Sequence, residues 1–314
     1  MKIRFFLGLF VGMLLGLGTT SMAQNDVYLF SSFRDNGQDG LHLAYSYDGY
    51  NWTALKKDSS FLRPTVSKDK LMRDPCILKG PDGYFHMVWT VSWNDLGIGY
   101  ARSKDLVHWS EQQFIPVMAH EPTALNCWAP EINYDAKTKE YLIYWATTIP
   151  DRFPSTEGGK GDGKYNHRMY STTTKDFKTF TPTRLFYDPG FNVIDVSIFQ
   201  VSKKKYAMIM KDETKNPVKK NLKLALSKHL NSGFSPASEP ISKLDWIEGP
   251  TVTKIGEDWV VYFDQYTRHK MGALKSKDLK NWIDISEEVH FPKGTRHGTV
   301  FKASKADVEF LLKQ

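Results

Sequence analysis

One short motif recurs along this chain and narrows its fold to a few architectures. Ser46-Tyr47-Asp48-Gly49-Tyr50-Asn51-Trp52 is echoed by Ser103-Lys104-Asp105-Leu106-Val107-His108-Trp109 and by Ser276-Lys277-Asp278-Leu279-Lys280-Asn281-Trp282. Thr174-Lys175-Asp176-Phe177-Lys178-Thr179-Phe180 is a looser copy, and Ser227-Lys228-His229-Leu230 leading to Phe234 is a degraded one. Successive copies begin 57, 71, 53 and 49 residues apart, a period that suits propeller blades and similar units. A β-rich run precedes each copy. The aspartate can then take up turn amides while the aromatic starts the next strand and packs inward, as expected of Trp52, Trp109 and Trp282. The motif is structural and carries no chemistry.

Two more strands come ahead of it in four of the five units. The first is an apolar run opened by an acid, over 74–78, 131–134, 195–201 and 248–254. A turn follows, then a hydrophobic strand at 84–89, 141–145, 206–210 or 259–263. Each unit reads as a four-stranded antiparallel sheet, and five of them stacked radially make an all-β, five-bladed β-propeller. The fifth unit is split. His297-Gly298-Thr299-Val300-Phe301 is a first-strand pattern with nothing after it, and the missing strands lie at 27–32 and 41–52. The two ends of the chain must share one blade, which closes the ring and removes the exposed sheet edges. A short helix over 305–312 caps the C-terminus.

The first 23 residues read as a secretion signal. Lys2 and Arg4 supply the positive region, 5–17 is apolar but too short for a membrane span, and Ser21-Met22-Ala23 is a small-x-small cleavage site. No cysteine follows the cut, so the expectation is an exported, periplasmic monomer without lipid anchor or membrane insertion. Residues 24–314 contain no linker or low-complexity tract and read as one domain. The net charge of +7 is concentrated in Lys203-Lys204-Lys205 and in 215–223, which read as solvated turns. Nucleic-acid binding would need a continuous basic face and a motif, and neither is found. Cys76 and Cys127, the only two cysteines, make no disulfide scaffold; they either pair or remain two small buried thiols.

Asp74, Asp195 and Glu248 open strands that otherwise read as buried. Acids are poor strand formers, so their placement points to chemistry. Hydrolysing a glycosidic bond with inversion takes a base to activate water and an acid to protonate the departing oxygen, about 6.5–9.5 Å apart. A third carboxylate nearby would raise the acid's pKa by like-charge repulsion. If the first strand of each blade starts at the top face, the loops 91–97, 147–166, 211–221 and 264–270 surround the same depression. Gly158-Gly159-Lys160-Gly161-Asp162-Gly163, in the longest of them, lacks the Lys-Ser/Thr of a P-loop and reads as a rim of the cleft.

In these residues the chain resembles glycoside hydrolase family 43, five-bladed propellers of inverting arabinofuranosidases, xylosidases and related enzymes. Arg73-Asp74-Pro75-Cys76-Ile77 matches the family's base motif, and Trp128-Ala129-Pro130-Glu131-Ile132 matches its Trp-Ala-Pro-acid motif. Ile194-Asp195-Val196-Ser197-Ile198-Phe199 matches the motif of the pKa-tuning aspartate, Glu248-Gly249-Pro250 that of the general acid, and Arg296-His297-Gly298 that of the last blade. The resemblance implies Asp74 as base, Asp195 as modulator and Glu248 as acid. It implies a channel position for His297, where the family sometimes holds an ion, and no required cofactor. Two departures stand out: Asp74 follows an entire half-blade, and Val196 replaces the usual Pro or Ala.

The remaining candidates are substrate contacts. Glu131 lies two positions past the base's place and reads as a hydrogen-bonding residue lining the cavity. Trp93 lies in a rim loop. Trp128 either stacks on a sugar or wedges between blades. Arg296, next to His297, is preferred over Arg73 as a binder of carboxylate or sugar hydroxyls. The long loop 147–166 favours exo action on a terminal sugar. α-L-arabinofuranose is expected first, then β-D-xylose, with exo-β-galactanase activity as a related outcome. A retaining fructan hydrolase is disfavoured because its Asn-Asp-Pro and Glu-Cys motifs are absent, and a sialidase because several arginines are required. A carbohydrate-binding propeller without activity would have no use for three mutually repelling carboxylates.

Overall fold

The computed structural model describes residues 27–159 and 164–314; the stretch 1–23 read as a secretion signal and 160–163 of the glycine-rich loop lie outside them. The chain opens with β1 (Val27–Ser32), β2 (His42–Ser46) and β3 (Thr53–Ala54). A second sheet contains β4 (Arg73–Lys79), β5 (Phe85–Thr90), β6 (Ile98–Ser103) and β7 (Gln113–Ile115). The third comprises β8 (Trp128–Asp135), β9 (Glu140–Thr147), β10 (Arg168–Thr174) and β11 (Arg184–Tyr187). The fourth has β12 (Val193–Ser202), β13 (Lys205–Asp212) and β14 (Asn221–Ser227), and the fifth has β15 (Glu248–Ile255), β16 (Asp258–Gln265), β17 (Lys270–Ser276) and β18 (Ile283–Asp284). Finally β19 (Val300–Ala303) pairs antiparallel with β1, Val27 opposite Ala303 and Phe30 opposite Val300. The two ends of the chain do share a blade. The helix α1 (Lys305–Leu311) follows, with a capping box between Ser304 and Asp307.

The core sits between blades. Val27, Leu29 and Leu43 of the first blade pack on Met87, Trp89 and Ala101 of the second, and α1 adds Val308 and Leu311. Equivalent clusters join second to third, third to fourth and fourth to fifth blades. The last, built on Tyr28, Phe30 and Trp52 against Val260, Tyr262 and Ala273, joins fifth to first. Each sheet is covered on both faces, which is why β5 is buried along its whole length and much of β9, β13 and β16 reads as unbroken apolar runs.

The repeated motif forms the turn expected of it. Asp48 Oδ1 accepts the amides of Tyr50 and Asn51 at 2.7 and 2.8 Å, while the indole of Trp52 donates to Gly49 O at 3.2 Å. Asp105, Asp176 and Asp278 repeat the amide contacts. The residue after each aspartate, Gly49, Leu106, Phe177 or Leu279, takes a positive φ. Trp52 is buried, whereas Trp109 and Trp282 are only half-buried at the edges of their clusters.

One expectation fails: the fourth blade has three strands, not four. Its degraded motif has no aspartate, and Ser227 alone accepts an amide, from His229 at 3.0 Å. The segment that should form the fourth strand carries Pro236 and Pro240, which cannot donate to a ladder. It bonds to β14 only at intervals, Ser235, Ser238 and Ile241 donating to Leu226, Leu224 and Leu222. Cys76 and Cys127 are buried free thiols, not a disulfide.

Candidate active site

Four of the five first strands begin with the same irregularity. In β4 the register slips between Arg73 and Cys76, in β8 between Trp128 and Glu131, in β12 between Ile194 and Ser197, and in β15 between Glu248 and Thr251. Two residues there oppose one, so the strand bends. The residue at the bend has positive φ in every case: Asp74 (52°), Ala129 (45°), Asp195 (52°) and Gly249 (59°). Left-handed backbone is unfavourable for residues with a Cβ, though least so for Asp and Asn, and such strain gathers at functional sites.

The bend sorts side chains by depth. Asp74 and Asp195 occupy equivalent places, but Glu248 lies one residue earlier, in the row of Arg73, Trp128 and Ile194. All six line one pit of about 410 Å³ at the centre of the ring. The three acids are therefore not placed alike, as the sequence suggested; Gly249 holds the place of the third. A Cβ on Gly249 would come within 2.3 Å of His297 Cγ, so this glycine lets the last blade's imidazole reach the centre. Glu131 lies two residues further in. It does not line the pit, as was expected of it, but is buried beside Cys76, with which its carboxyl hydrogen-bonds. Burial pushes its carboxyl up to about 8, with the His297 charge working against that.

His297 organises the two aspartates. Its Nδ1 is 3.4 Å from Asp74 Oδ1 and 4.0 Å from Asp195 Oδ2. Burial opposes its charge, but the two carboxylates prevail and raise it to about 9. Burial would also raise Asp74; the hydrogen bond and charge of His297, with Arg73 and Thr90, instead hold it at about 2. Thr90 Oγ1 donates to Asp74 Oδ2 at 2.8 Å and itself accepts the amide of Ala129 at 2.8 Å, which fixes its direction. Asp195 accepts the Gly249 amide at 3.1 Å. Burial, aided by Glu248, lifts it to about 6 against His297 and Lys211.

Glu248 behaves otherwise. Burial alone would raise its pKa, yet Lys211 Nζ at 3.0 Å and Arg296 Nη2 at 3.5 Å hold it below the usual glutamate value. The like-charge lift expected for this residue appears on Asp195 instead. Arg296 also clasps Asp264 Oδ2 at 2.6 Å. Among the described residues no group of three His, Cys, Asp or Glu side chains is spaced to hold a metal ion.

Aromatic rings make the remaining wall. Trp93, exposed at the rim, meets Trp128 edge-on at 5.3 Å, and the Trp128 indole donates to Trp93 O at 3.0 Å. Trp128 also lies 4.6 Å from the Tyr165 ring and 5.2 Å from that of His167. It both faces the pit and wedges between loops. The Arg73 guanidinium is sandwiched between Phe33 and Trp93, at 4.6 and 4.5 Å. Burial pushes His167 down to about 3, and its Nε2 has no hydrogen-bond partner among the described residues.

Seven of the eight sequence candidates thus meet in the pit: Asp74, Asp195, Glu248, Trp93, Trp128, Arg296 and His297. The sequence reading missed Lys211, Glu213, Thr90, Tyr165 and His167, which also line it. Lys211 had left a trace, as a lysine ending the apolar run Tyr206-Ala207-Met208-Ile209-Met210.

A family model described as a probable glycosyl hydrolase domain, of the family 43-related group, matches residues 24–309. No curated protein sequence matches the chain. Among solved structures, an α-L-arabinofuranosidase from Lactobacillus brevis is 21% identical with a TM-score of 0.52, over 68% of this chain and 72% of that one. An exo-β-1,3-galactanase from Clostridium thermocellum is 18% identical with a TM-score of 0.52, over 70% and 50%. A family 43 β-1,3-galactosidase with galactodeoxynojirimycin is 14% identical with a TM-score of 0.53, over 71% and 79%. At these identities the likeness concerns the fold.

Proposed function

The chain belongs to the family 43-related glycosyl hydrolases, and from that premise we propose that it removes terminal sugars from oligosaccharides or polysaccharides with inversion at the anomeric carbon. Asp74 is the base, ionised throughout the neutral range because His297 is charged beside it. It takes a proton from water as the water oxygen bonds to the anomeric carbon. The bond to the departing oxygen breaks, and Glu248 gives that oxygen its proton. Each turnover leaves Asp74 one proton richer and Glu248 one poorer; exchange with solvent restores both. Asp195 positions the pair through the Gly249 amide and His297.

The observation that carries this reading is the convergence of Asp74, Asp195 and Glu248 on a single pit at the ring's centre. A pit with an aromatic wall at the ring's centre suits the end of a sugar chain better than its middle. Trp93, Trp128 and Tyr165 offer aromatic surface to a sugar ring. We take an α-L-arabinofuranosyl end as the leading substrate, in line with the arabinofuranosidase among the similar structures. The galactanase and galactosidases among them favour a terminal β-galactosyl residue as the second reading. The test is a panel of p-nitrophenyl arabinofuranoside, xyloside and galactoside, with proton NMR of the first sugar released. A product of unchanged anomeric configuration overturns inversion. Sugar binding without turnover of any panel member, unaltered by Glu248→Gln, points to a carbohydrate-binding propeller. Residues 1–23 support export to the periplasm, which cell fractionation tests.

A further inference from the structure

Glu248 is faced by charges from every side. Lys211 approaches from β13 at 3.0 Å, and Arg296 from the closing segment at 3.5 Å. Asp195 on β12, Asp264 on β16, and Asp74 and His297 across the pit complete the surroundings. Lys211, like Arg296 with Asp264, has a second carboxylate within reach. Its ammonium lies 2.6 Å from Glu213 Oε2 and 4.7 Å from the centre of the Tyr266 ring. Glu213 is paired through its other oxygen with the buried Lys220, which rests 5.7 Å from the Trp246 ring.

An ion pair serving only to neutralise Glu248 would not need this arrangement. A buried ammonium stripped of its partner is costly, so when Glu248 becomes neutral its cation must have somewhere to go. Glu213 is that place, already within hydrogen-bond reach and anchored by Lys220. We propose that Lys211 is a positioning residue for the acid, an ammonium that alternates between Glu248 and Glu213 and thereby sets when Glu248 carries its proton. The role rests on the reading of Glu248 as the acid. With Lys211 drawn to Glu248 the carboxylate is ionised. With Lys211 drawn to Glu213, Glu248 takes up a proton from hydronium or buffer acid in the bulk solvent and is ready to give it to the departing oxygen.

The test is the alkaline limb of the kcat/KM–pH profile, measured with phenyl and dinitrophenyl glycosides of the preferred sugar. The phenyl substrate needs acid assistance and the dinitrophenyl one hardly does. Lys211→Met should move the phenyl limb up by about one pH unit or more, as loss of an adjacent opposite charge does. Glu213→Gln commits Lys211 to Glu248 and should move that limb down. Lys211→Arg should restore it. The dinitrophenyl limb should move in none of them. A folded Lys211→Met protein with an unmoved phenyl limb overturns the proposal, as does a shift of equal size on both substrates. Should Lys211→Met not fold, Glu213→Gln decides, and a limb that stays or rises overturns it. Glu248→Gln separates the two claims: if it leaves phenyl glycoside turnover intact, the acid assignment itself is wrong, whereas its loss alongside unmoved limbs condemns only Lys211.

Discussion

Two aspartates bend their strands by holding left-handed backbone, and each is useful because the bend points a carboxylate at the same imidazole. Replacing Asp74 by Asn keeps the shape, the Thr90 contact and the tolerance for positive φ, but removes the charge. Turnover should fall by about 10²–10⁴, the usual contribution of a positioned base, with KM little changed; an aryl glycoside assay of a protein with an unaltered melting curve checks this. His297 offers a second measurement. Its pKa rises from an ordinary 6.5 to about 9 on folding, so its contribution to stability is complete below pH 6.5 and is lost as pH rises to 9. Denaturation at pH 7 and pH 10 should therefore show a drop of about 1–3 kcal/mol in the native protein, and a clearly smaller one in His297→Asn. An equal drop in both would place the charged group elsewhere. At this scale the acids were legible because Asp and Glu are conspicuous at the mouths of apolar strands. Lys211 was not: a lysine at the end of such a strand is ordinarily the start of a solvated turn, and only folding shows the two carboxylates around it. Glu131 was legible in position, two residues past the base's place, but not in depth: its burial beside Cys76 depends on how neighbouring blades pack, which spacing does not reveal.

At the level of elements, the repeated turn explains both what the blades share and where one of them differs. Each aspartate gathers amides that would otherwise face water or be buried unpaired, so its loss should cost stability without touching the pit. Asp105→Ala leaves the amides of Val107 and His108 without their acceptor and should lower unfolding stability by about 1–2 kcal/mol. Urea denaturation measures it, and kcat should stay within experimental error. The fourth blade is the natural counterpart of that experiment. Its motif retains Ser227 but has His229 where the aspartate belongs, and its outer edge is a proline-interrupted segment in place of a strand. The missing acid was visible in the sequence; its consequence was not, because the apolar pattern of the first three strands continues undisturbed and promises a fourth.

On the scale of the whole molecule, closure of the ring and construction of the site are the same event. His297 and Arg296 reach the pit only if β19 docks beside β1, and that docking is tight. Gly298 follows His297 immediately, and a Cβ there would lie 1.8 Å from the carbonyl oxygen of Ser31, well inside contact distance. Gly298→Ala should therefore push the closing strand away from β1 and lower both the melting temperature and kcat. A second latch lies where the fifth blade meets the first: the buried hydroxyl of Tyr262 donates to Gly49 O at 2.6 Å. Tyr262→Phe removes that bond but moves no backbone towards the pit. It should cost about 1 kcal/mol or less, since the Gly49 carbonyl keeps the Trp52 indole as a donor, and turnover of the folded protein should be unchanged. The two variants compared at equal loss of stability distinguish general loosening of the ring from displacement of His297. If kcat fell as far in Tyr262→Phe as in Gly298→Ala, the pit would depend on the rigidity of the whole toroid and not on the seating of its last strand.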